Sequence, residues 1–337
     1  MVSQAEIKNP LVSVIVPTLN RPAMLKDALA SIAAQTYAPI EIIVVNDAGV
    51  DVERVVEQSR FKQRVVYLKH TTNKGLPAAR NTGLKAASGD YIAYLDDDDV
   101  YYPDHIHTLV SFLLASNYKV AYTDAYQAEQ FMLRSFCRNF FTIGEQSSRR
   151  TALLYSLLRI TPRWCLNFLH QTSRGLMARL DHPFMRLNNG GIDMFSRGDG
   201  KYLIVKRTVP FSNDFDRDMM LVKNFIPVLC LMHHRSCLET TGLFDETLKT
   251  HEDWDLWIRM SREHNFAHIK KLTCEYTVRA DGSNITSAIR ADFRRSMEAI
   301  HQRYSHLTRS PKVVEAQRAF LQELKDELAG AVSDSED

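Results

Sequence analysis

Three short apolar runs, each ending abruptly in polar residues, limit what this chain can fold into more than any other feature. Residues 11–16 (LVSVIV) run into Pro17, Thr18 and Asn20; residues 40–45 (IEIIVV) run into Asn46 and Asp47; residues 91–95 (YIAYL) run into four aspartates, Asp96 to Asp99. Nearly unbroken apolar runs of this length read as strands covered on both faces. Between them lie helix-compatible segments. Residues 22–35 carry Met24, Leu25, Ala28, Leu29 and Ile32 at helical spacing, and 76–87 and 103–115 also read as helices, with short strands at 65–68 and 119–122. Strands alternating with helices predict parallel βαβ units and an α/β fold. Ligands of such sheets gather at the carboxyl ends of the strands, where all three polar clusters lie.

A chain of 337 residues can bury one large core or two modest ones. Its formal net charge of +2 implies no nucleic-acid partner. Five scattered cysteines (Cys137, Cys165, Cys230, Cys237, Cys274) form no C-x-x-C pair, which argues against a disulfide framework and for a reducing compartment. The first ten residues lack an apolar signal core, and the longest apolar stretch, 225–232, is far shorter than the ~20 residues of a spanning helix. These features predict a cytoplasmic protein.

The rhythm breaks after about residue 130. Nine arginines lie between Arg134 and Arg186, with Glu145 and Asp181 as the only acidic residues in that span, interleaved with Leu153, Leu154, Leu157, Leu158, Trp164, Leu166, Phe168 and Leu169. This pattern predicts amphipathic helices with a basic face, suited to an acceptor lid or to peripheral contact with anionic lipid at the inner face of the membrane. Regular α/β signals resume at 202–205 and 228–232. A helical C-terminal part follows from 290 to about 328, with Val314, Gln317, Phe320, Leu321, Leu324 and Leu328 along one stripe that offers a surface for self-association.

Four carboxylates at one strand end repel one another unless a cation compensates. Hard divalent ions such as Mg²⁺ or Mn²⁺ take carboxylate oxygens together with substrate phosphates. Asp96 and Asp98, two apart, are placed to converge on one ion; the simpler reading is a solvated acidic turn before the next helix.

The surrounding residues carry a family pattern. Val12-Ser-Val-Ile-Val-Pro-Thr-Leu-Asn-Arg21 resembles the opening strand of family 2 glycosyltransferases, inverting enzymes with the GT-A fold. Val44-Val-Asn-Asp47 resembles that family's second strand end, and Asn73-Lys-Gly-Leu-Pro-Ala-Ala-Arg-Asn-Thr-Gly83 its Asn-x-Gly…Ala-Arg-Asn segment. Leu95-Asp-Asp-Asp-Asp99 is similar to its DxD motif. Gly242-Leu-Phe-Asp-Glu246 and His251-Glu-Asp-Trp-Asp-Leu-Trp257 are similar to its acceptor-side motif. Five pieces in the right order cover roughly 11–125 and 202–285. The chain departs from the family at Asn46, where an aspartate is common, and at Tyr276, Arg279 and Asp281, where the family often has Tyr-Arg-x-His.

The resemblance implies a Rossmann-like mixed sheet flanked by helices, with a helical basic insertion and C-terminal helices. Residues 1–125 would form a nucleotide-sugar-binding half, 126–201 the mostly helical insertion, 202–285 an acceptor-binding half, 286–330 C-terminal helices and 331–337 a disordered acidic tail. It implies transfer of a sugar from a nucleoside-diphosphate sugar, a UDP-sugar preferred, to a hydroxyl of a saccharide or glycolipid in surface polysaccharide biosynthesis. Asp98, helped by Asp96, would hold Mn²⁺ or Mg²⁺, with Asp97 reaching the ribose and Asp47 accepting a hydrogen bond from the base. Pro17, Thr18, Asn20, Arg21, Asn73, Lys74 and Gly75 would line the donor site, while Arg80 would meet a phosphate or an aspartate of the metal cluster. Asp253, beside Glu252, would be the general base; the helix dipole alone would also favour carboxylates there.

Cys230, His233, His234 and Cys237 are spaced like zinc ligands, but strand alternation throws the two histidines to opposite faces, so core or acceptor-pocket roles are favoured. The competing functional class is a non-catalytic nucleotide-sugar or membrane-surface binding protein, which would be expected to lack the base or the metal aspartates. Nucleotidyl transfer lacks its Gly-rich, lysine-bearing signature here.

Overall fold

The computed structural model describes residues 9–58, 61–134, 185–187, 192–196, 201–279 and 290–333. The apolar runs become the central strands: β1 (Val12–Thr18) and β2 (Ile40–Asn46) are buried at every position, and β4 (Tyr91–Tyr94) likewise. The more polar β3 (Arg64–Lys69) is exposed at both ends, as its place at the edge of the parallel set requires. β2 pairs in parallel with β3 and with β1, and β1 in parallel with β4. Successive strands thus step from β1 to β2 to β3, then return to the far side of β1 at β4. That reversal is a topological switch point, which opens a crevice beyond the carboxyl ends of β1 and β4.

The crossovers are helices α1 (Pro22–Ala33), α2 (Glu53–Gln58) and α3 (Leu76–Ala86). α1 buries Leu25, Ala28, Leu29 and Ile32, the stripe expected from its periodicity. α3 lies so close to β1 that a Cβ on Gly83 would come within 2.6 Å of Ile15. After β4 the chain makes the two-residue β5 (Val100–Tyr101) and helix α4 (His105–Ala115).

Two compact units emerge. The first comprises residues 1–126, 209–276 and 284–337, the second 127–208 and 277–283. In the first unit, β10 (Leu231–His234) runs antiparallel to β4 and to the opening residues of β6 (Val120–Arg134), making the sheet mixed. The long β11 (Phe266–Arg279) pairs with β5 through Cys274 and Tyr101. Helices α5 (Arg217–Met220), α6 (Cys237–Thr241) and α7 (Glu252–Glu263) follow β6 in this unit. The C-terminal segment, expected as one helical stretch, is two helices. α8 (Arg290–Arg303) and α9 (Pro311–Ser333) are separated by a 3-10 turn at Ser305–Leu307, and Pro311 starts the second. The buried valine of α9 is Val313 rather than Val314.

The second unit corrects the expected boundaries. β6 continues to Arg134 and pairs antiparallel with β9 (Lys201–Thr208), which pairs with β8 (Ile192–Ser196) and β8 with β7 (Met185–Leu187). Tyr202 to Val205 therefore belongs to this meander and not to an acceptor-binding half. Every described residue of the expected helical insertion between 127 and 201 is strand, with Glu129 opposite Lys206 as an ion pair at 3.1 Å. The rest of the arginine-rich block, and residues 334–337 of the expected disordered tail, lie outside the described residues; 331–333 are still helix. Among the described residues no helix is long and apolar enough to cross a membrane.

Candidate active site

The four aspartates form a turn rather than an extension of β4, closed by the Asp99 N–H on the Asp96 carbonyl at 3.1 Å. Their side chains therefore diverge. Asp97, only 4% exposed, accepts the Thr18 hydroxyl at 2.7 Å and the Leu19 N–H at 3.4 Å, both from the end of β1, and Arg21 at 3.1 Å. Burial pushes its carboxyl up to about 6, against the pull of Thr18 and Arg21. Arg21 also reaches Asp98 at 3.1 Å. Asp97 is thus the post on which the two strand ends are tied.

Asp96 turns the other way. Arg80, in the second turn of α3 and 2% exposed, holds both its oxygens at 2.7 and 3.0 Å and with its other nitrogen binds Glu252, the first residue of α7. Of the two partners the sequence suggested for Arg80, the structure places it on the aspartate. One guanidinium thereby joins the acidic turn to the start of α7. Desolvation alone would lower the Arg80 pKa, but Asp96, Glu252 and Asp253 outweigh it and hold the group charged. The crowding shows on the carboxylates: burial pushes Glu252 up to about 7 and Asp253 upward too, with Arg80 opposing both.

Asp253 itself accepts the Trp254 N–H at 2.7 Å on one oxygen and the Asn224 amide at 3.0 Å on the other. The Asn224 amide is oriented by the Ile226 N–H on its carbonyl oxygen at 3.1 Å. Trp254 and Trp257 anchor the helix below, donating to the carbonyls of Met220 and Ile226 at 2.6 and 3.2 Å. Asn81 brackets the preceding loop, exchanging bonds of 2.9 and 3.0 Å with the Phe244 backbone and donating to Glu246 at 2.8 Å.

Asp47, expected to accept a hydrogen bond from the base, fastens a loop. Its carboxylate accepts the Lys74 and Gly75 N–H groups, both at 2.8 Å, and His70 Nδ1–H at 2.6 Å. A carboxylate can only accept, so Nδ1 carries a proton, and Nε2 lies 2.9 Å from the Thr82 hydroxyl. Asp47 thus pins the loop at Asn73, Lys74 and Gly75, where Gly75 adopts φ +92, and three donors already occupy it before any base arrives. Asn73 caps the same loop through Gly75 N–H at 3.1 Å, and Asn20 fixes Val50 N–H at 2.8 Å. Pro17 is a buried residue of β1, opposite Val45.

Among the described residues, three non-glycines adopt left-handed backbone: Asn20, Ala48 and His251, with φ of 61, 62 and 61°. Each adjoins a segment of this site, where backbone strain characteristically gathers. His70 and Asn224 escaped the sequence reading, while Asn81 and Thr82 lay inside the Asn73 to Gly83 motif without a role of their own. Asn224 had no signal, because residues 221–227 show no helical or strand period.

Among the described residues no three His, Cys, Asp or Glu side chains converge as metal ligands. Asp96 and Asp98 are turned to different arginines instead of to one point, and Cys230, His233, His234 and Cys237 form no zinc site. His233 is buried, its Nε2 accepting from Tyr94 at 2.8 Å, while Cys230 lies 3.7 Å from Cys274. The acidic turn nonetheless suits a hard divalent ion: five carboxylates (Asp96, Asp97, Asp98, Glu252, Asp253) share two guanidiniums (Arg21, Arg80). Mg²⁺ needs only one or two carboxylates when phosphates complete its shell.

Residues 13–164 match the profile of Glycosyl transferase family 2. An uncharacterized glycosyltransferase of Rickettsia prowazekii is 40% identical over 107 residues, 32% of this chain and 33% of that protein. The chain thus spans about a third of that relative's length. Among solved structures, S. aureus TarS (residues 1–349) in complex with UDP-GlcNAc superposes with a TM-score of 0.56 at 16% identity, covering 92% of this chain and 71% of TarS. The mannosyltransferase PcManGT from Pyrobaculum calidifontis, in complex with GDP-Man and Mn²⁺, gives 0.51 at 16% identity, covering 97% and 81%. Residues 13–164 are thus similar to Glycosyl transferase family 2, and the mixed sheet has the fold of these glycosyltransferase structures.

Proposed function

We propose that the chain transfers a sugar, with inversion, from a nucleoside-diphosphate sugar to a hydroxyl of a saccharide or glycolipid, and that Asp253 is the general base. The observation that carries this reading is Arg80. By joining Asp96 to Glu252 it sets the acidic turn at the end of β4 beside the helix start that bears Asp253. Donor diphosphate and acceptor hydroxyl can then meet in one place.

The chemistry needs a carboxylate that takes the acceptor proton as the new bond forms, on the face opposite the leaving group. A partly desolvated carboxylate whose pKa is raised is a better proton acceptor than a solvated one, and Asp253, half-buried, is of that kind. Its Asn224 bond leaves lone pairs for the acceptor and fixes the group's direction. Glu252, held by Arg80, orients the helix start. On the donor side, Asp98 and Asp96 would hold Mn²⁺ or Mg²⁺, which neutralises charge developing on the diphosphate when bound. The loop at Lys74 and Gly75, fastened by Asp47, offers backbone close to the nucleotide.

A uridine donor is favoured by the likeness to TarS, whose structure holds UDP-GlcNAc. A role in surface polysaccharide synthesis, and a lid or lipid-contact role for the arginine-rich block, belong to the same proposal. Purified full-length protein should be screened against UDP- and GDP-sugars with saccharide and glycolipid acceptors. We expect turnover that stops in EDTA and returns with Mn²⁺ or Mg²⁺. Undiminished turnover in chelator would overturn the metal assignment. Nucleotide-sugar binding without hydrolysis or transfer would favour the binding-protein alternative.

A further inference from the structure

The two C-terminal helices supply no residue to the site, yet they are bonded to both segments that hold Asp253. The first connection runs through Asp255, which is fully buried. One of its oxygens accepts Arg259 at 3.0 and 2.7 Å; the other accepts Arg303 Nη1 and the Tyr304 hydroxyl, each at 2.7 Å. Arg303 ends α8 and Tyr304 follows it. The same Arg303 nitrogen lies 2.8 Å from Asp245, next to the Phe244 backbone that Asn81 brackets beside Arg80. Arg259 binds the carbonyls of Thr241 and Leu243, closing the loop from the other side.

The second connection runs through residues 220–224. His301 of α8 donates to the Val222 carbonyl at 2.8 Å, and Gln317 of α9 to the Leu221 carbonyl at 2.7 Å. Two residues further on, Asn224 donates to Asp253. Both sides of the carboxylate are thus referred to α8 and α9.

A wholly buried carboxylate is costly unless hydrogen-bonded and paired, so this four-donor arrangement is held firmly only while every donor is present. A misplacement of about 1 Å at a reacting group can cost about 100-fold in rate. We propose that Arg303 and Tyr304 are positioning residues for sugar transfer: acting through Asp255, they hold the first turn of α7 and thereby place Asp253. This rests on the reading of Asp253 as the base. Neither residue touches the acidic turn or the loop at Asp47, so donor binding is independent of them.

The test uses the full chain as Arg303→Ala, Arg303→Lys and Tyr304→Phe, with Arg294→Ala as control, since Arg294, among the described residues, pairs with Glu298 on the same helix surface at 3.5 Å. Turnover with a donor that the wild type uses, calorimetric binding of UDP with Mn²⁺, and amide hydrogen exchange are measured together. For Arg303→Ala we expect kcat to fall about 10- to 100-fold, with donor KM and UDP affinity unchanged and faster exchange at 252–257. Arg303→Lys should recover part of kcat, because an ammonium restores the charge but not the fork. Wild-type kcat in Arg303→Ala, or exchange that rises only within 290–333, overturns the proposal. If Arg303→Ala does not fold, Tyr304→Phe, which deletes one hydroxyl, decides by the same readouts with a fall of about 3- to 10-fold. A wild type that turns over no donor refutes the functional reading, while exchange at 252–257 still judges the brace.

Discussion

At the acidic turn, the groups that hold each carboxylate come from strand ends that are neighbours in the sheet: Thr18, Leu19 and Arg21 on Asp97, with Arg80 reaching across from α3 to Asp96. Around Asp253 the holders come from everywhere else. Asn224 lies in an irregular segment, Arg303 and Tyr304 in the C-terminal helices, and the tryptophans below are bound to carbonyls more than 30 residues away. The first region inherits its geometry from the crossover topology, so a parallel sheet with this strand order delivers it almost unaided. The second must be assembled by tertiary contacts, and each is a place where it can fail. The acidic turn, proposed as the donor side, is therefore the robust region, and the surroundings of Asp253, proposed as the base side, the precise one.

That contrast fixes the order of expected effects. Asp253→Asn should lower transfer by about 10²- to 10⁴-fold, because it removes the proton acceptor, while UDP affinity stays the same. Paired calorimetry and turnover measurements check this. Near-normal turnover would move the base elsewhere and dissolve the distinction between the two regions. Next comes Asp98→Asn, for which we expect a loss of about 100-fold, with the residual rate insensitive to added Mn²⁺. A variant that keeps both its rate and its Mn²⁺ response would remove Asp98 from the metal site.

The same contrast explains what could be read in advance. β1, β2, β4 and α1 were legible because a strand covered on both faces needs apolar residues at every position, and a half-buried helix needs them at 3.6-residue spacing. The candidate residues at strand ends followed from topology. Roles were less legible than positions: that Asp97 and Asp47 are structural fastenings depends on donors such as His70, which no spacing links to Asp47. β11 was missed because its middle residues, His268 to Thr273, alternate poorly, its burial being set by β5 and β6. The strands at 185–187 and 192–196 fell inside the stretch expected as helix because that expectation rests on Leu153 to Leu169, outside the described residues, and these runs are only three and five residues long.

A third effect is smaller and concerns stability. His233 sits beside Tyr94 of β4, and burial holds its imidazole down to about 4, repelled further by His234 and His264. The unfolded chain binds this proton near pH 6.5 and the folded chain does not, so the stabilisation is complete above about pH 6.5 and is lost as pH falls toward 4. At pH 5 the loss from this one group is about 2 kcal/mol. Urea melts at pH 7 and pH 5 should show it, and His233→Gln should flatten the acid limb by that amount. An unchanged pH slope in His233→Gln would mean that His233 does not carry the acid sensitivity.

The last comparison, which includes the smallest single effect, tests the two regions against each other at matched backbone geometry. Ala48, after β2 on the donor side, and His251, before α7 on the base side, have φ of 62 and 61°. A non-glycine in this conformation carries a strain of about 1–2 kcal/mol, which glycine relieves, less about 0.5–1 kcal/mol for the freedom glycine adds to the unfolded chain. Ala48 has only a methyl group to lose, so Ala48→Gly should stabilise the protein by about 0.5–1 kcal/mol and leave transfer unchanged. His251 is different: its ring lies 4.1 Å from that of Phe293 on α8 and packs edge-on to Trp254 at 5.5 Å. His251→Gly gives up that packing, and by analogy with other large-to-small changes should cost about 1–3 kcal/mol net while lowering turnover, because it loosens the helix start. Denaturant melts of the two variants read the sign directly. Opposite signs mean that the donor side tolerates its strain as a by-product of the turn, whereas the base side spends its strained residue on contacts that hold Asp253. Equal signs would erase the difference between the two regions.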